Sequence, residues 1–227
     1  MLLDLIFSED FNIILVIASI FASLLVIFIT LPIHEWAHAF VANKLGDPTA
    51  KYMGRLSLNP LKHIDPMGAA MILLIGFGWA KPVPVEMHRF KKPKAYMAIT
   101  ALAGPLSNLI LATISLLLFN FLDGFNVISA NKIVQVLYAI VYFTSFVMAQ
   151  INVSLAIFNL IPIPPLDGSR ILNAFLPDRI YYKLMQYERY FFIIIFAVVY
   201  LLDNVFDGIV YTVLGFLNTL ASLPFSF

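Results

Sequence analysis

Residues 11–43 read FNIILVIASIFASLLVIFITLPIHEWAHAFVAN, and no charged side chain occurs in residues 11–33. A transmembrane α-helix needs about 20 consecutive, mostly apolar residues, so this stretch predicts a membrane span. As one straight helix, the whole stretch would be roughly 50 Å long, whereas the hydrocarbon core of a bilayer is roughly 30 Å thick. We therefore expect the span to tilt or to kink at Pro32.

The composition of the whole chain also indicates a membrane protein. Of the 227 residues, 61% are hydrophobic and only 12% are charged, whereas a soluble domain is nearer half apolar and a quarter charged. The formal net charge of +1 offers no basic surface for nucleic acid. Because the chain has no cysteine, any bound metal must be held by His, Asp or Glu.

Further long runs without a charged residue, or with Asp207 alone, cover residues 95–121, 133–166, 191–202 and 205–227. We expect an all-α polytopic membrane protein with about five transmembrane helices, within a range of about four to six, because the last two runs are short or interrupted. No polar stretch approaches the size of a separate domain, so residues 1–227 are predicted to form one domain. Its catalytic core is predicted at about residues 11–176, with hydrophobic helices at about residues 180–225.

The basic residues predict the orientation of the chain. Nine of the fourteen Lys and Arg residues lie between Lys44 and Lys94, and four lie between Arg170 and Arg189. Short loops rich in Lys and Arg stay on the cytoplasmic side of a membrane. Both regions are therefore predicted to face the cytoplasm.

Residues 66–79, PMGAAMILLIGFGW, are apolar but too short to cross the bilayer, so they predict a re-entrant element after the first span. The sequence continues as KPVPV in residues 81–85. Its two prolines remove N–H groups from one edge of an extended segment, which leaves Val83 and Val85 to form hydrogen bonds along the other edge. An ordinary proline-rich loop is the alternative.

Two histidines and a glutamate at the end of the first span form a metal-binding pattern. His34 and His38 lie one turn apart on a helix, so both imidazoles can bind one Zn²⁺. Glu35 lies beside them and can take a proton from water activated by the metal. Lys44 marks the cytoplasmic surface, so the site is expected roughly 15 Å inside the membrane. The alternative is a pair of interfacial histidines with a glutamate among the lipid headgroups.

A third ligand is needed, because catalytic zinc normally has three protein ligands. Asp167 is the best candidate, in NLIPIPPLDG at residues 159–168, where three prolines break a helix at membrane depth. Alternatively, Asp167 forms a turn with Gly168 and caps a helix. Asn159, at the last unbroken turn, can donate to a peptide carbonyl or oxyanion, or to backbone carbonyls that the prolines leave free.

Three other residues are candidates for supporting roles around the metal. Asn108, in GPLSN at residues 104–108, faces either the site or a closely packed helix. His63 and Asp65, in NPLKHIDP at residues 59–66, form either a second metal-binding or proton-handling pair or two turns shaped by proline.

Taken together, these segments resemble the site-2 protease family of intramembrane zinc metalloproteases, and most closely its short prokaryotic branch, which lacks a PDZ domain. The resemblance covers about residues 31–172. It rests on three motifs in the family's order, HEWAHAF, GPLSN and NLIPIPPLDG, and includes the segments GRLSLNPLKHIDPMG and GFGWAKPVPV.

The resemblance implies roles for the candidate residues. It implies that one Zn²⁺ per chain is bound by His34, His38 and Asp167. It makes Glu35 the general base and places Asn159 against the substrate or the developing oxyanion. The valine strand edge would then be a membrane-associated element that binds substrate.

The implied enzyme is a zinc metalloendopeptidase that hydrolyses peptide bonds in or near transmembrane segments of membrane-protein substrates. It would be a multi-pass protein of a prokaryotic cell membrane, with its active site towards the cytoplasm. Two other functions stay open. A catalytically inactive metal-binding scaffold would not need Glu35, and a metal-ion transporter would need charged groups along a path through the whole bilayer. The oligomeric state is not predicted.

Overall fold

The computed structural model describes residues 12–75, 78–125, 131–177, 179–180, 183, 186, 190 and 203–225. The α-helices of this part, in chain order, are α1 (Ile13–Leu25), α2 (Leu31–Leu45), α3 (Thr49–Tyr52), α4 (Pro66–Ile75), α5 (Pro93–Asp123), α6 (Lys132–Asn159), α7 (Asp167–Asn173) and α8 (Asp203–Ser222). Short 3₁₀ turns lie at Pro60–Lys62, Met87–Arg89 and Leu223–Phe225.

The described helices agree with a multi-pass membrane protein. Among the described residues, four stretches are long and apolar enough to cross a bilayer: Ile13–Leu45, Pro93–Asp123, Lys132–Asn159 and Asn204–Phe225. The all-α prediction is confirmed for this part of the chain. The predicted hydrophobic run at residues 191–202 lies outside the described residues, so the total of about five spans stays a prediction.

The first span is one helical run with an irregular turn just before Pro32. Residues Val26–Thr30 form a π-helical turn, in which the N–H of Leu31 donates to the carbonyl of Val26. Pro32 has no N–H to donate to the preceding turn, so a regular hydrogen-bond ladder cannot continue through it. Within this turn, the Thr30 hydroxyl donates to Asn152 Oδ1 on α6, at 3.3 Å. The irregularity thus lies directly before Pro32, and we find it to be a widened turn.

Helix α5 lies at the centre of the packing. It packs along α2, α6, α7 and α8, while α1 packs on α6. One buried apolar cluster joins the first span, α4 and α6, and a second joins α5, α6 and α8. Large apolar side chains such as Phe21, Ile110 and Phe216 cover the outside of these helices. Such an exterior is unfavourable in water and suits the hydrocarbon of a bilayer.

The predicted re-entrant element contains a helix and a close chain reversal. Helix α4 starts at Pro66, and Asp65 Oδ1 accepts the N–H groups of Met67 and Gly68 at its start. Two β-bridge partners, Ile64 and Ala80, bring the ends of the loop together. Within the described ranges this isolated bridge is the β-type pairing that occurs, and those ranges contain no β-strand. Residues 76 and 77 lie outside those ranges, so the re-entrant interpretation stays a prediction. Residues 81–85 are described and form no strand there, so their use as a strand edge for substrate also stays a prediction.

Candidate metal centre

Helix α2 brings two imidazoles together on its face towards α5. His34 and His38 are 7% and 4% exposed. Their ring centroids are 4.7 Å apart in an edge-to-face arrangement, and their Nε2 atoms are 3.1 Å apart. The spacing of four residues alone dictates this pairing, because such residues lie one above the other on an α-helix.

The proline break delivers a carboxylate to the same point. Residues 160–166 are not helical, and Asp167 is the first residue of α7. Its Oδ2 lies 3.3 Å from His34 Nε2 and 3.2 Å from His38 Nε2. The structure therefore brings together the three side chains predicted as ligands, each of which is buried.

The three donor atoms fit a zinc ion. In a tetrahedral zinc site with bonds of about 2.0–2.1 Å, ligand atoms lie about 3.3–3.4 Å apart. The three separations here are 3.1, 3.2 and 3.3 Å. Asp167 Oδ2 is buried and makes no hydrogen bond within the described part of the chain, and a bound metal would supply the partner that this oxygen lacks. Among the described residues, no other group of three such side chains comes as close together.

Helix α5 orients both imidazoles through contacts with their Nδ1 atoms. His38 Nδ1 lies 2.8 Å from the backbone carbonyl of Thr100, and His34 Nδ1 lies 3.4 Å from Asn108 Oδ1. Each acceptor binds an N–H, so each neutral ring keeps its lone pair on Nε2, where the donor atoms converge. Thr100 and Asn108 thus select the tautomer that can bind a metal.

We expect Asn108→Leu to lower zinc affinity by about 10- to 100-fold, because losing a partner of the ligand imidazole leaves its tautomer and orientation unspecified. The measurement is zinc retention by the purified protein in competition with a coloured chelator. Ser107→Ala is the matched control, because the Ser107 hydroxyl donates within its own helix, to Gly104 O, at 2.7 Å. Equal affinity in the Asn108 variant and the wild type would contradict this role.

Glu35 is held by a backbone group rather than by a side chain. It is 8% exposed, and its Oε2 accepts the N–H of Val83 at 2.7 Å. Val83 is itself buried against Ala39 and Ala50. The carboxylate next to the ligand pair therefore has a fixed direction.

The remaining candidates take other partners. The Asn159 amide donates to Leu155 O on its own helix, at 2.9 Å. His63 is fully buried and donates through Nε2 to Ser57 O at 2.7 Å, with no partner for Nδ1 among the described residues. Burial lowers the pKa of His63 below its ordinary value, so the ring is neutral at pH 7. Asp65 caps α4, which is the turn-shaping alternative. Neither His63 nor Asp65 belongs to the ligand cluster.

Some contributions to the site could not be read from residue types. Thr100 acts through its carbonyl and Val83 through its N–H, and every residue has the first group while every residue except proline has the second. The carboxylate of Asp47 is fully buried near the end of α2. The signal for Asp47 was its place in Gly-Asp-Pro-Thr directly after a long helix, a pattern typical of a hydrogen-bonded turn.

Comparison with known proteins agrees with the metal centre. The chain matches peptidase family M50 over residues 22–202. It is 43% identical over 168 residues to the "Putative zinc metalloprotease YwhC" of Bacillus subtilis, and the aligned region covers 74% of this chain and 75% of that protein. It is 31% identical over 190 residues to the "Putative zinc metalloprotease Rip2" of Mycobacterium tuberculosis, and the aligned region covers 81% of this chain and 69% of that protein.

No solved structure gives a significant match to the chain. The family match takes in the ligand helix, α5 and the proline break together, so the predicted family and the predicted peptidase class are confirmed. The chain belongs to peptidase family M50, the site-2 protease family.

Proposed function

We propose that this protein is an intramembrane protease that cleaves peptide bonds in or near the transmembrane segments of other membrane proteins. The observation that carries the proposal is the buried triangle of His34, His38 and Asp167 beside Glu35. His34, Glu35 and His38 lie in the stretch Ile13–Leu45, which is long and apolar enough to span a bilayer, and Asp167 reaches them from the start of α7. Ionisable groups at such a depth are costly and mark functional sites.

Zinc is the cofactor and metalloprotease is the enzyme class. Three findings agree on both: membership of a peptidase family, relatives that are named zinc metalloproteases, and a donor set of two imidazoles and a carboxylate. The two corresponding sequence predictions are confirmed.

Each side chain of the site has a distinct task in the proposed reaction. When bound, zinc supplies a Lewis acid that polarises the peptide carbonyl and lowers the pKa of water. His34, His38 and Asp167 hold it. Glu35 takes a proton from the attacking water and returns that proton to the leaving amine. The Val83 N–H keeps the Glu35 carboxylate directed during both transfers.

The proposed site lies at membrane depth and is reached from the cytoplasmic side. Helix α2 ends at Leu45, next to the basic region that begins at Lys44. His34 lies about ten residues, or roughly 15 Å of helix, before that end. A loop rich in basic residues is favoured on the cytoplasmic side, which supports our proposal that the zinc lies in the cytoplasmic half of the bilayer.

The substrate class follows from the depth of the site. A peptide bond within a membrane helix is shielded by the helix's own hydrogen bonds, so the substrate must unwind locally before cleavage. An extended chain beside residues 81–85 would replace some of these hydrogen bonds. The Val83 N–H is already bound to Glu35, whereas the Val85 N–H makes no hydrogen bond with the described residues. Val85 is therefore the donor we propose for pairing with substrate.

The test is cleavage of a single-span model substrate by the full chain in lipid nanodiscs, compared between wild type and Glu35→Gln. We expect about one zinc per chain in both proteins. We expect the variant to lose at least about 100-fold in kcat, because loss of a general base costs about 10²–10⁴-fold. A glutamine oxygen can still accept the Val83 N–H, so the local structure is retained.

Other results would support other functions. Zinc in both proteins with cleavage in neither, across several single-span substrates, would favour the scaffold. Zinc movement into liposomes that requires Asp167 would favour the transporter. Full activity in Glu35→Gln would overturn the assignment of the base.

A further inference from the structure

Asp47 is a buried carboxylate that the proposed reaction does not use. Its side chain is fully buried, and it follows Gly46, the left-handed residue with φ of 111° that ends α2. The N–H of Asp47 donates to Ala42 O at 2.9 Å. The carboxylate is therefore attached to the end of the helix that carries His34 and Glu35.

The Asp47 carboxylate is bound by hydrogen-bond donors on both oxygens. Oδ1 accepts the N–H of Thr49 at 3.0 Å and its hydroxyl at 2.5 Å. Oδ2 accepts the backbone N–H of Glu86 at 2.7 Å. The guanidinium Nε of Arg89 lies 3.8 Å from Oδ1. A buried carboxylate is tolerated where donors satisfy it in this way.

Glu86, whose backbone N–H donates to Asp47, belongs to the same short segment as Val83, whose N–H donates to Glu35. We call residues 81–86, KPVPVE, the 81–86 segment. Its first N–H, on Lys81, donates to His63 O at 2.8 Å, and its third residue, Val83, donates to Glu35. Its last residue, Glu86, donates to Asp47. Two carboxylates, one in the second turn of α2 and one just beyond its last residue, thus hold one segment at points three residues apart.

We propose that Asp47 is a positioning residue that keeps the Val83 N–H on Glu35. This inference rests on the proposed function, because it assigns the Glu35 carboxylate a direction that the reaction needs. Between Val83 and Glu86 lie only Pro84 and Val85. The ring of Pro84 fixes its φ angle, so a constraint at Glu86 is passed to Val83 with little slack. Without Asp47, Glu86 would keep its contacts with Arg89, whose N–H donates to Glu86 O at 3.0 Å and whose guanidinium pairs with the half-buried Glu86 carboxylate. Arg89 lies three residues further along the same chain, so these contacts do not tie the segment to α2.

A purely local role is the alternative, in which Asp47 stabilises only the turn into α3. The two roles use different oxygens, so they can be separated. Asp47→Asn can offer an acceptor either to Thr49 or to the Glu86 N–H, and it opposes the remaining donor with its own NH₂ group. Thr49→Val removes the hydroxyl donor on Oδ1 and leaves the bond from Glu86 intact. It is the matched control for the local role.

The test uses the full-length, zinc-loaded protein in nanodiscs. For Asp47→Asn we expect unchanged zinc content, faster amide hydrogen exchange in peptides that cover residues 81–86, and unchanged exchange across α5. We expect kcat to fall by about 10- to 100-fold, because a displacement near 1 Å costs that much, while KM stays within about twofold. Thr49→Val should leave exchange in the 81–86 segment as in the wild type.

A second pair of variants covers the case in which Asp47→Asn does not fold. Glu86→Pro removes the N–H donor and leaves Asp47 and Thr49 untouched, and Glu86→Ala, which keeps that N–H, is its reference. We expect faster exchange at Val83 in Glu86→Pro than in Glu86→Ala. Equal exchange in this pair, or the same change in Thr49→Val as in Asp47→Asn, would overturn the proposal. Exchange is measured without substrate, so this result does not depend on whether the protein proves to be a protease.

Discussion

Gly104→Ala is expected to abolish zinc binding and proteolysis together. A Cβ at Gly104 would lie 2.6 Å from His34 Nε2 and 2.5 Å from its Cε1, and it would also overlap His38 Nε2. The two Nε2 atoms are those that would bind the proposed zinc. The methyl group would force both rings away from Asp167, so we expect zinc to fall below about 0.1 per chain, since binding needs the donor atoms converged.

The measurement for Gly104→Ala is zinc content by elemental analysis, beside cleavage of the single-span substrate. Gly215→Ala is the matched control, because Gly215 also lies within a long helix but has nothing within 4 Å of an added Cβ. It should keep zinc and activity. The obstacles at Gly104 are side chains, which can rotate, so the metal-free variant should remain folded. A Gly104→Ala protein with full zinc would show that the helices do not approach as described.

The site illustrates which features a sequence can predict. His34, Glu35 and His38 lie on one helix, and helix geometry fixes their relation without further knowledge of the fold. Asp167 required more, namely three prolines that end a helix at membrane depth and a resemblance to a known family. The structure brings its carboxylate to the two imidazoles. The relation of His34, Glu35 and His38 could be predicted because their spacing on one helix determines it. The place of Asp167 depends on how the helices pack, so its prediction also needed the family resemblance.

The parts that were not predicted act through the backbone or through long-range packing. The carbonyl of Thr100 and the N–H of Val83 carry no residue-type signal. Gly104 begins the GPLSN segment, for which close helix packing was one of the two interpretations, and its close neighbours are His34 and His38. The strand-edge interpretation of residues 81–85 requires that the N–H groups of Val83 and Val85 are not already bound by other parts of the chain. Val83 is bound by Glu35, which the proline pattern could not indicate.

The break after α6 gives the second large effect, in Gly168→Ala. Gly168 follows Asp167 in α7, and a Cβ there would lie 2.5 Å from Ile161 O and 2.5 Å from Leu160 C, and would overlap Leu160 O. These atoms are backbone, so no rotamer change relieves the contact. We expect the start of α7 to move, which withdraws Asp167 from the two imidazoles and lowers zinc occupancy. The free energy of unfolding of the metal-free protein should fall by about 1–3 kcal/mol, as for other overpacked sites.

Gly168→Ala is distinguished from Gly104→Ala by the stability of the metal-free form. The unfolding temperature of chelator-treated protein should be lower in the Gly168 variant than in the wild type, because the added methyl group there contacts backbone atoms. It should be nearly unchanged in the Gly104 variant, because there the contacts are with two side chains. Gly208→Ala, with nothing within 4 Å of its added Cβ, is the control for the stability measurement. Retained zinc in Gly168→Ala would mean that Asp167 reaches the imidazoles without the tight contact between α7 and the break. Its place as a ligand would then depend on side-chain reach, and the close packing of Gly168 would serve stability alone.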